Sequence, residues 1–174
     1  MSGYRQLSRP SSQRKALLRQ QLTTLLVNGE VKTTKTRALE VQRMAEKLIG
    51  LAVREHENFE EIEVTKSQAK LDAKGRKLLQ TATSKAGNKY DKVEREMLTV
   101  QIKKDHPSRL AARRKLISQL YEYKNEDGER INTVNHVMDE LAPRYKDRNG
   151  GYTRMIRLGQ RRGDAAEMVL LQLV

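Results

Sequence analysis

Arg144, Lys146, Arg148, Arg154, Arg157, Arg161 and Arg162 crowd the C-terminal part of this chain, interleaved with Tyr145, Tyr152, Gly150, Gly151, Gly159 and Gly163. A guanidinium offers a planar fork of donors that fits phosphate oxygens and stacks on bases. Paired glycines let a backbone approach a polyanion with no Cβ in the way. The chemistry on offer is therefore phosphate and polyanion binding. A second cationic group, Arg5, Arg9, Arg14, Lys15 and Arg19, opens the chain among Ser8, Pro10, Ser11 and Ser12. Arg113-Arg114-Lys115 forms a third. Lys32-Thr33-Thr34 precedes a predicted helix that carries Arg37. A helix N-terminus attracts anions, and Lys32 with the Thr33 or Thr34 hydroxyl would assist there.

Other chemistries lack their residues. Cysteine is absent, so there is no disulfide framework, thiolate metal site or cysteine nucleophile. His56, His106 and His136 lie on separate segments without metal-ligand spacing. A nuclease needs paired carboxylates for metal ions or an activated nucleophile, and the acids of the basic segments are scattered over helix surfaces. Asp164 after Arg162-Gly163 reads as a turn residue that pairs with a nearby arginine. No catalytic residue, metal site or cofactor is expected, and no small-molecule substrate. Two polyanion readings stay open on residue types alone: a structural RNA binder, which recognises shape and phosphates, and a DNA-coating protein.

Those side chains must be held by a modest scaffold. The 174 residues carry a net charge of +13, with a pI of about 10.1, which repels itself unless a counter-charge is supplied. Residues 1–56 contribute a net +7, 57–105 a net +2 and 106–174 a net +4. The outer segments thus hold most of the polyanion signal, and the middle reads as a solvated face. No apolar run reaches the roughly 18 residues of a membrane span, and the start lacks a secretory leader, so a cytoplasmic protein with no membrane partner is expected.

Residues 1–12 read as an extended basic arm, with Ser11 or Ser12 capping a helix over 13–27 whose stripe is Leu18, Leu22, Leu25 and Leu26. Arg14, Lys15 and Arg19 in its first turns oppose the helix dipole and call for compensation from elsewhere. Residues 31–34 predict a short strand ending in a threonine cap. A helix over 35–54 follows, with Ala38, Val41, Ala45, Leu48 and Ala52 on one face. In the middle, Ile62/Val64 and Leu98/Val100/Ile102 alternate with polar residues, predicting two antiparallel strands at the base of an inserted arm with a helical or mobile tip. A helical hairpin turning at Gly87 is the alternative. From Ser108 a helix reaches about Tyr123 with Leu110, Ile117, Leu120 and Tyr121 inward; Asn125–Gly128 makes a turn. Asn132 or Thr133 caps a short helix of Val134, Val137, Met138 and Leu141 that Pro143 ends. Two strands, 152–158 and 168–174, close the chain. The first places Tyr152 and Arg154 on one face and Arg157 on the other. Tyr152 suits either packing or a base contact. The class is α+β: helices on a small mixed sheet, in a single domain over 1–174 with an insertion at 57–105.

Several runs resemble those of the bacterial large-subunit ribosomal protein number seventeen. They are Arg5-Gln6-Leu7 with Arg9, Ser11-Ser12 with Arg14, Lys32-Thr33-Thr34, Arg37-Ala38 with Glu40, and Glu46-Lys47-Leu48-Ile49. Further on come Arg113-Arg114, Leu141-Ala142-Pro143-Arg144-Tyr145, Arg148, Gly150-Gly151-Tyr152-Thr153-Arg154 and Arg162-Gly163-Asp164-Ala165. The resemblance covers about 3–56 and 106–174; residues 57–105 have no counterpart in the family's typical short members. It implies helices packed on a small sheet, a core complete without the insertion, no catalysis, and an architectural place on the large subunit near the exit of the nascent-chain tunnel. The implied partners are ribosomal RNA and neighbouring ribosomal proteins. The candidate RNA-binding residues are Arg5, Arg9, Ser11, Ser12, Arg14, Lys15, Arg19, Lys32, Thr33, Thr34, Arg37, Arg113, Arg114, Arg148, Tyr152, Arg154, Arg157, Arg161 and Arg162.

Overall fold

A computed structural model describes residues 5–125 and 128–174. The chain divides into two compact units, one of residues up to 58 together with 105–174, the other of residues 59–104.

In the first unit α1 (Ser11–Asn28) begins at Ser11 itself, with Pro10 in the cap position, so neither serine caps it by a side chain. Gly29 ends it with φ of 80°, and its N–H donates to Leu25 O at 3.0 Å, a conformation that glycine adopts at no steric cost. The brief strand β1 (Glu30–Thr34) leads into α2 (Lys35–Glu55). Thr34 occupies the cap position, but its hydroxyl faces Thr36 Oγ1 at 3.4 Å rather than a backbone N–H. The predicted apolar face of α2 is buried throughout, Ala38, Val41, Ala45, Leu48 and Ala52 included.

The helix α3 (Pro107–Gln119) starts one residue before Ser108, on a proline whose missing N–H costs nothing in a first turn. Its inward face is Arg109, Ala112 and Leu116, with Leu120 just beyond; the expected Leu110, Ile117 and Tyr121 are exposed. The phase differs because Arg109 lies 1% exposed among acids, paired with Asp105 and with Asp139 at 3.3 Å, and turns the helix toward them. After α3, β6 (Tyr123–Lys124) pairs with β7 (Arg130–Ile131). Asn125 O accepts from Gly128 N at 2.9 Å, while 126 and 127 of the expected turn lie outside the described residues. Asn132 caps α4 (Thr133–His136), accepting from Asn135 N at 3.2 Å. The helix continues through a π turn over Val137–Leu141 into α5 (Ala142–Arg144), so Pro143 sits inside the last turn instead of stopping the helix before it.

Two C-terminal strands, β8 (Thr153–Gln160) and β9 (Glu167–Leu173), join β1 in a three-stranded sheet of order β1-β9-β8. The α+β class is as expected; both pairings of this sheet are antiparallel. Val169, Leu171 and Leu173 turn inward to join Leu22, Leu25, Leu26, Ile49, Leu116 and Met138 in one core. The hydrophobic effect over these fully buried side chains is what holds the unit.

The second unit is all β. Strands β2 (Phe59–Ala69) and β5 (Arg95–Asp105) form one two-stranded sheet, and β3 (Leu79–Thr83) and β4 (Lys89–Val93) another, antiparallel with Ala82 opposite Tyr90. The base strands are as expected; the tip is a strand hairpin rather than a helical or mobile segment, and the helical-hairpin alternative does not occur. Its strand sequences, such as Lys89-Tyr90-Asp91-Lys92, show little apolar alternation because neither face is covered. No residue of 59–104 is buried.

Candidate nucleic-acid interface

Two carboxylates of α2 organise the basic segments. Glu40, 5% exposed, accepts from Arg5 N and Arg5 Nη1 at 3.3 Å each and from Arg14 Nη2 at 3.2 Å, with Arg43 Nη1 at 3.8 Å. Arg14 Nε donates to Arg5 O at 2.6 Å. The compensation that Arg14 needed in the first turn of α1 is thus Glu40. The N-terminal segment is not extended from Arg5 onward. It bends through Leu7 and Ser8, with φ of 58° and 50°, and Leu7 packs against the core. Residues 1–4 of the expected arm lie outside the described residues. Arg5 and Arg14 therefore spend part of their charge fixing the segment, while Arg9 is exposed.

Glu46, two turns further along α2, sets the start of β8. Its carboxylate accepts from Tyr152 N at 3.2 Å, from Thr153 N at 3.0 Å and from Thr153 Oγ1 at 2.7 Å. Tyr152 is 5% exposed, tilted on Tyr145 at 5.3 Å between ring centroids, and its hydroxyl donates to Arg148 O at 3.0 Å. Its ring is a core element, which corrects its place among the RNA-contacting candidates and on a shared face with Arg154. Gly150 and Gly151 bridge Arg148 and Tyr152 with φ of 116° and 63° and open space where a Cβ would stand.

These anchors place Arg148 at a cleft of about 430 Å³ between α2, α3 and the Gly150-Gly151 turn. Lys47, Arg54, Lys115 and Arg148 line it, and none of them makes an ion pair among the described residues. Glu46, the acid on its wall, is already engaged by three donors. A second cleft, about 380 Å³, gathers Arg14, Lys15 and Arg19 with Ser118 and Gln119. Arg19 also donates to Leu120 O at 3.2 Å and stacks over Tyr121 at 4.3 Å. Lys47, Arg54 and Lys115 were not among the candidates. Lys47 and Lys115 sit beside motif residues, but only the packing of α2 on α3 brings them together.

The remaining candidates scatter. Thr33 is 4% exposed and its Oγ1 accepts from Gln21 Nε2 at 3.0 Å, so it offers no hydroxyl to an anion at the start of α2. Lys32 and Arg154 point to the outer face of the sheet, since their partners Leu170 and Gln172 alternate with the inward residues of β9. Arg157 pairs with inward Val169 just before a bulge and is exposed at the sheet's end. Arg113 Nε lies 2.8 Å from Asp105 and its Nη1 donates to Asn135 Oδ1 at 2.7 Å; its role is to hold α3, while Arg114 is exposed. Arg161 donates to both oxygens of Asp164, at 2.8 and 2.5 Å, the pairing expected of that turn. This bond, with Ala166 N, lowers the Asp164 pKa to about 2. Ser11, Ser12 and Arg162 are exposed, and Thr34 and Arg37 half-buried.

Among the described residues no group of His, Asp and Glu could hold a metal ion, and no helix is long and apolar enough to cross a membrane. A family model described as ribosomal protein L17 matches residues 17–174. The "Large ribosomal subunit protein bL17" of Acetivibrio thermocellus is 53% identical over 174 residues, the whole of both chains. The protein of that name from Ruminiclostridium cellulolyticum is 51% identical and that from Clostridium perfringens 34% identical, each over 174 residues and again the whole of both chains. These alignments run through 59–104, so the second unit has counterparts in the three relatives.

Proposed function

Because the chain belongs to the ribosomal protein L17 family, we propose that it is a structural component of the large ribosomal subunit, not an enzyme, and that it binds folded ribosomal RNA through two basic clefts and the exposed cations around them. The observation that carries the RNA contact is the cleft of Lys47, Arg54, Lys115 and Arg148, four cations with a single wall carboxylate that is already engaged. Such a site is short of negative charge, and a phosphate backbone supplies it. Arg14, Lys15 and Arg19 extend the footprint along α1, with Arg9 before it. Lys32, Arg114, Arg154, Arg157 and Arg162 provide further point contacts. Recognition rests on shape and phosphates, because A-form grooves offer side chains little base readout. The reading includes a cytoplasmic, ribosome-bound protein with ribosomal proteins as neighbours, and a position near the tunnel exit as the family resemblance implies.

Binding of the full chain to folded large-subunit RNA across a salt series tests this reading. The variant Lys47→Gln/Arg54→Gln/Lys115→Gln/Arg148→Gln is expected to flatten the salt dependence, by roughly 0.7–0.9 in log–log slope for each phosphate it no longer neutralises. Wild-type preference for this RNA over duplex DNA is expected as well. An unchanged slope would remove the cleft from the interface.

A further inference from the structure

Charge in the second unit is segregated. Residues 70–93 hold seven Lys/Arg against two Asp, whereas the paired strands that support them, 59–69 and 94–104, hold four Lys/Arg against five Glu. The near-neutral balance of the whole segment hides a basic tip on an acidic stem.

Backbone geometry gives the tip its shape. Lys70 N donates to Glu94 O, Glu94 N to Leu78 O and Leu78 N to Lys70 O, each at 2.9 Å. This closed ring of three bonds pins the end of β2, the start of β3 and the start of β5 at one point. A tight turn over 71–77 and the β3–β4 hairpin project from it. At this junction lies an open cleft lined by Lys70, Gln80, Lys92, Val93, Glu94 and Arg95. Its one acid, Glu94, is 3.7 Å from Lys70, and Arg95 Nη1 donates only weakly to Ser67 Oγ at 3.4 Å. Lys92 makes no ion pair among the described residues. Tyr90, 51% exposed, projects from the same face of β4 as Lys92, being two residues away, and the residue across from it is the small Ala82. An unburied aromatic ring beside a lysine, with no side chain stacked on it among the described residues, is an arrangement that takes a base on the ring and the adjoining phosphates on the cations. A lipid surface would call for a contiguous apolar wedge; the exposed Leu79 pairs with Val93 on the face of the hairpin opposite Tyr90, and on its own face Tyr90 is followed by Lys92.

We propose that the junction of the second unit is a separate RNA-binding site, in which Lys92 and Arg95, with Lys70, hold the backbone of an unpaired stretch of ribosomal RNA and Tyr90 stacks on one of its bases. This rests on the ribosomal reading of the chain, but its residues are distinct from those of the first unit.

The test uses the full chain and purified, folded large-subunit RNA in a salt series. Lys92→Gln/Arg95→Gln is expected to lower affinity at least fivefold and reduce the slope by roughly 1.5, the equivalent of two phosphates. The stem control Lys66→Gln/Lys103→Gln removes the same charge and is expected to leave the slope unchanged. Tyr90→Ala is expected to weaken binding several-fold with no change in slope, since it carries no charge. The swap Lys92→Arg/Arg95→Lys keeps the charge and should restore the slope, which separates a missing cation from a misfolded unit. Wild-type binding with an unchanged Lys92→Gln/Arg95→Gln slope, or equal losses in the stem control, would overturn the inference and leave the first-unit reading standing. No wild-type binding at all would overturn the proposed function instead. Binding by wild type to vesicles of phosphatidylglycerol and phosphatidylcholine that is lost in Lys92→Gln/Arg95→Gln, with RNA binding unaffected, would assign the site to membranes and overturn the RNA assignment.

Discussion

The two units keep their shape by different means. In the first, helices and a three-stranded sheet enclose a continuous core in which Leu22, Leu25, Leu26, Ile49, Leu116 and Leu171 are fully buried. In the second, no residue is buried, and the strands are held by backbone ladders and exposed pairs such as Lys104–Glu60 at 2.8 Å. The cations divide the same way. In the first unit Arg5, Arg109 and Arg113 are engaged by carboxylates that fix their segments, and Arg14 in part, while Lys47, Lys115, Arg148 and Arg154 make no ion pair among the described residues. In the second unit nearly every cation is solvated. A basic protein therefore cannot be read by charge count alone. The arginines nearest a buried acid build the scaffold, and those further out are left open to solvent.

The sharpest way to break this contrast is to cut into the core. Ile49→Ala is expected to cost about 2–5 kcal/mol, the range for a large-to-small change at a fully buried site, read as a fall in the chemical-denaturation midpoint. Less should follow from Glu40→Ala, about 1–3 kcal/mol, because three arginines lose their acceptor but Arg5 can reach water. Limited proteolysis should then cut near Leu7 in the variant and spare the wild type. A smaller effect still is expected at the Arg161–Asp164 turn. The folded-state pKa of Asp164 is lowered, so its contribution is present above the ordinary carboxyl value of 3.8 and is lost as pH falls through about 2. Asp164→Asn should abolish pH dependence at that turn between those values, observed by NMR of the Ala166 amide. The smallest effect is expected from removing 59–104 and joining Asn58 to Asp105 by a short Gly/Ser linker. His106 N already donates to Asn58 O at 3.2 Å, so the gap is short, and the melting temperature of the first unit should hold within a few degrees. A large fall would make the second unit part of the core's stability.

Much of the scaffold was legible in the residues. The alanine-rich face of α2 and the inward row of β9 follow from local periodicity, and Asn132 was one of the two residues whose type suited the cap of α4. Local patterns could not show β1 pairing with β9, which depends on residues far apart in sequence. They misphased α3 because Arg109 sits on its inward face, where an apolar residue is the normal expectation. The site was legible in part. The run from Arg148 to Arg154 pointed to the segment that places Arg148 at the cleft, yet Tyr152 serves the core and Thr33 is enclosed. Glu40 and Glu46, which position both basic segments, read as ordinary helix acids. Their role depends on donors 26 and 35 residues away for Glu40 and more than a hundred away for Glu46.

The most direct measurement is sedimentation of the tagged full chain from cell lysate on sucrose gradients, with magnesium held high and then lowered to dissociate the subunits. Membership of the large subunit requires that the chain travel with whole ribosomes at high magnesium and with the large subunit at low magnesium. A chain that stays at the top of both gradients would contradict it.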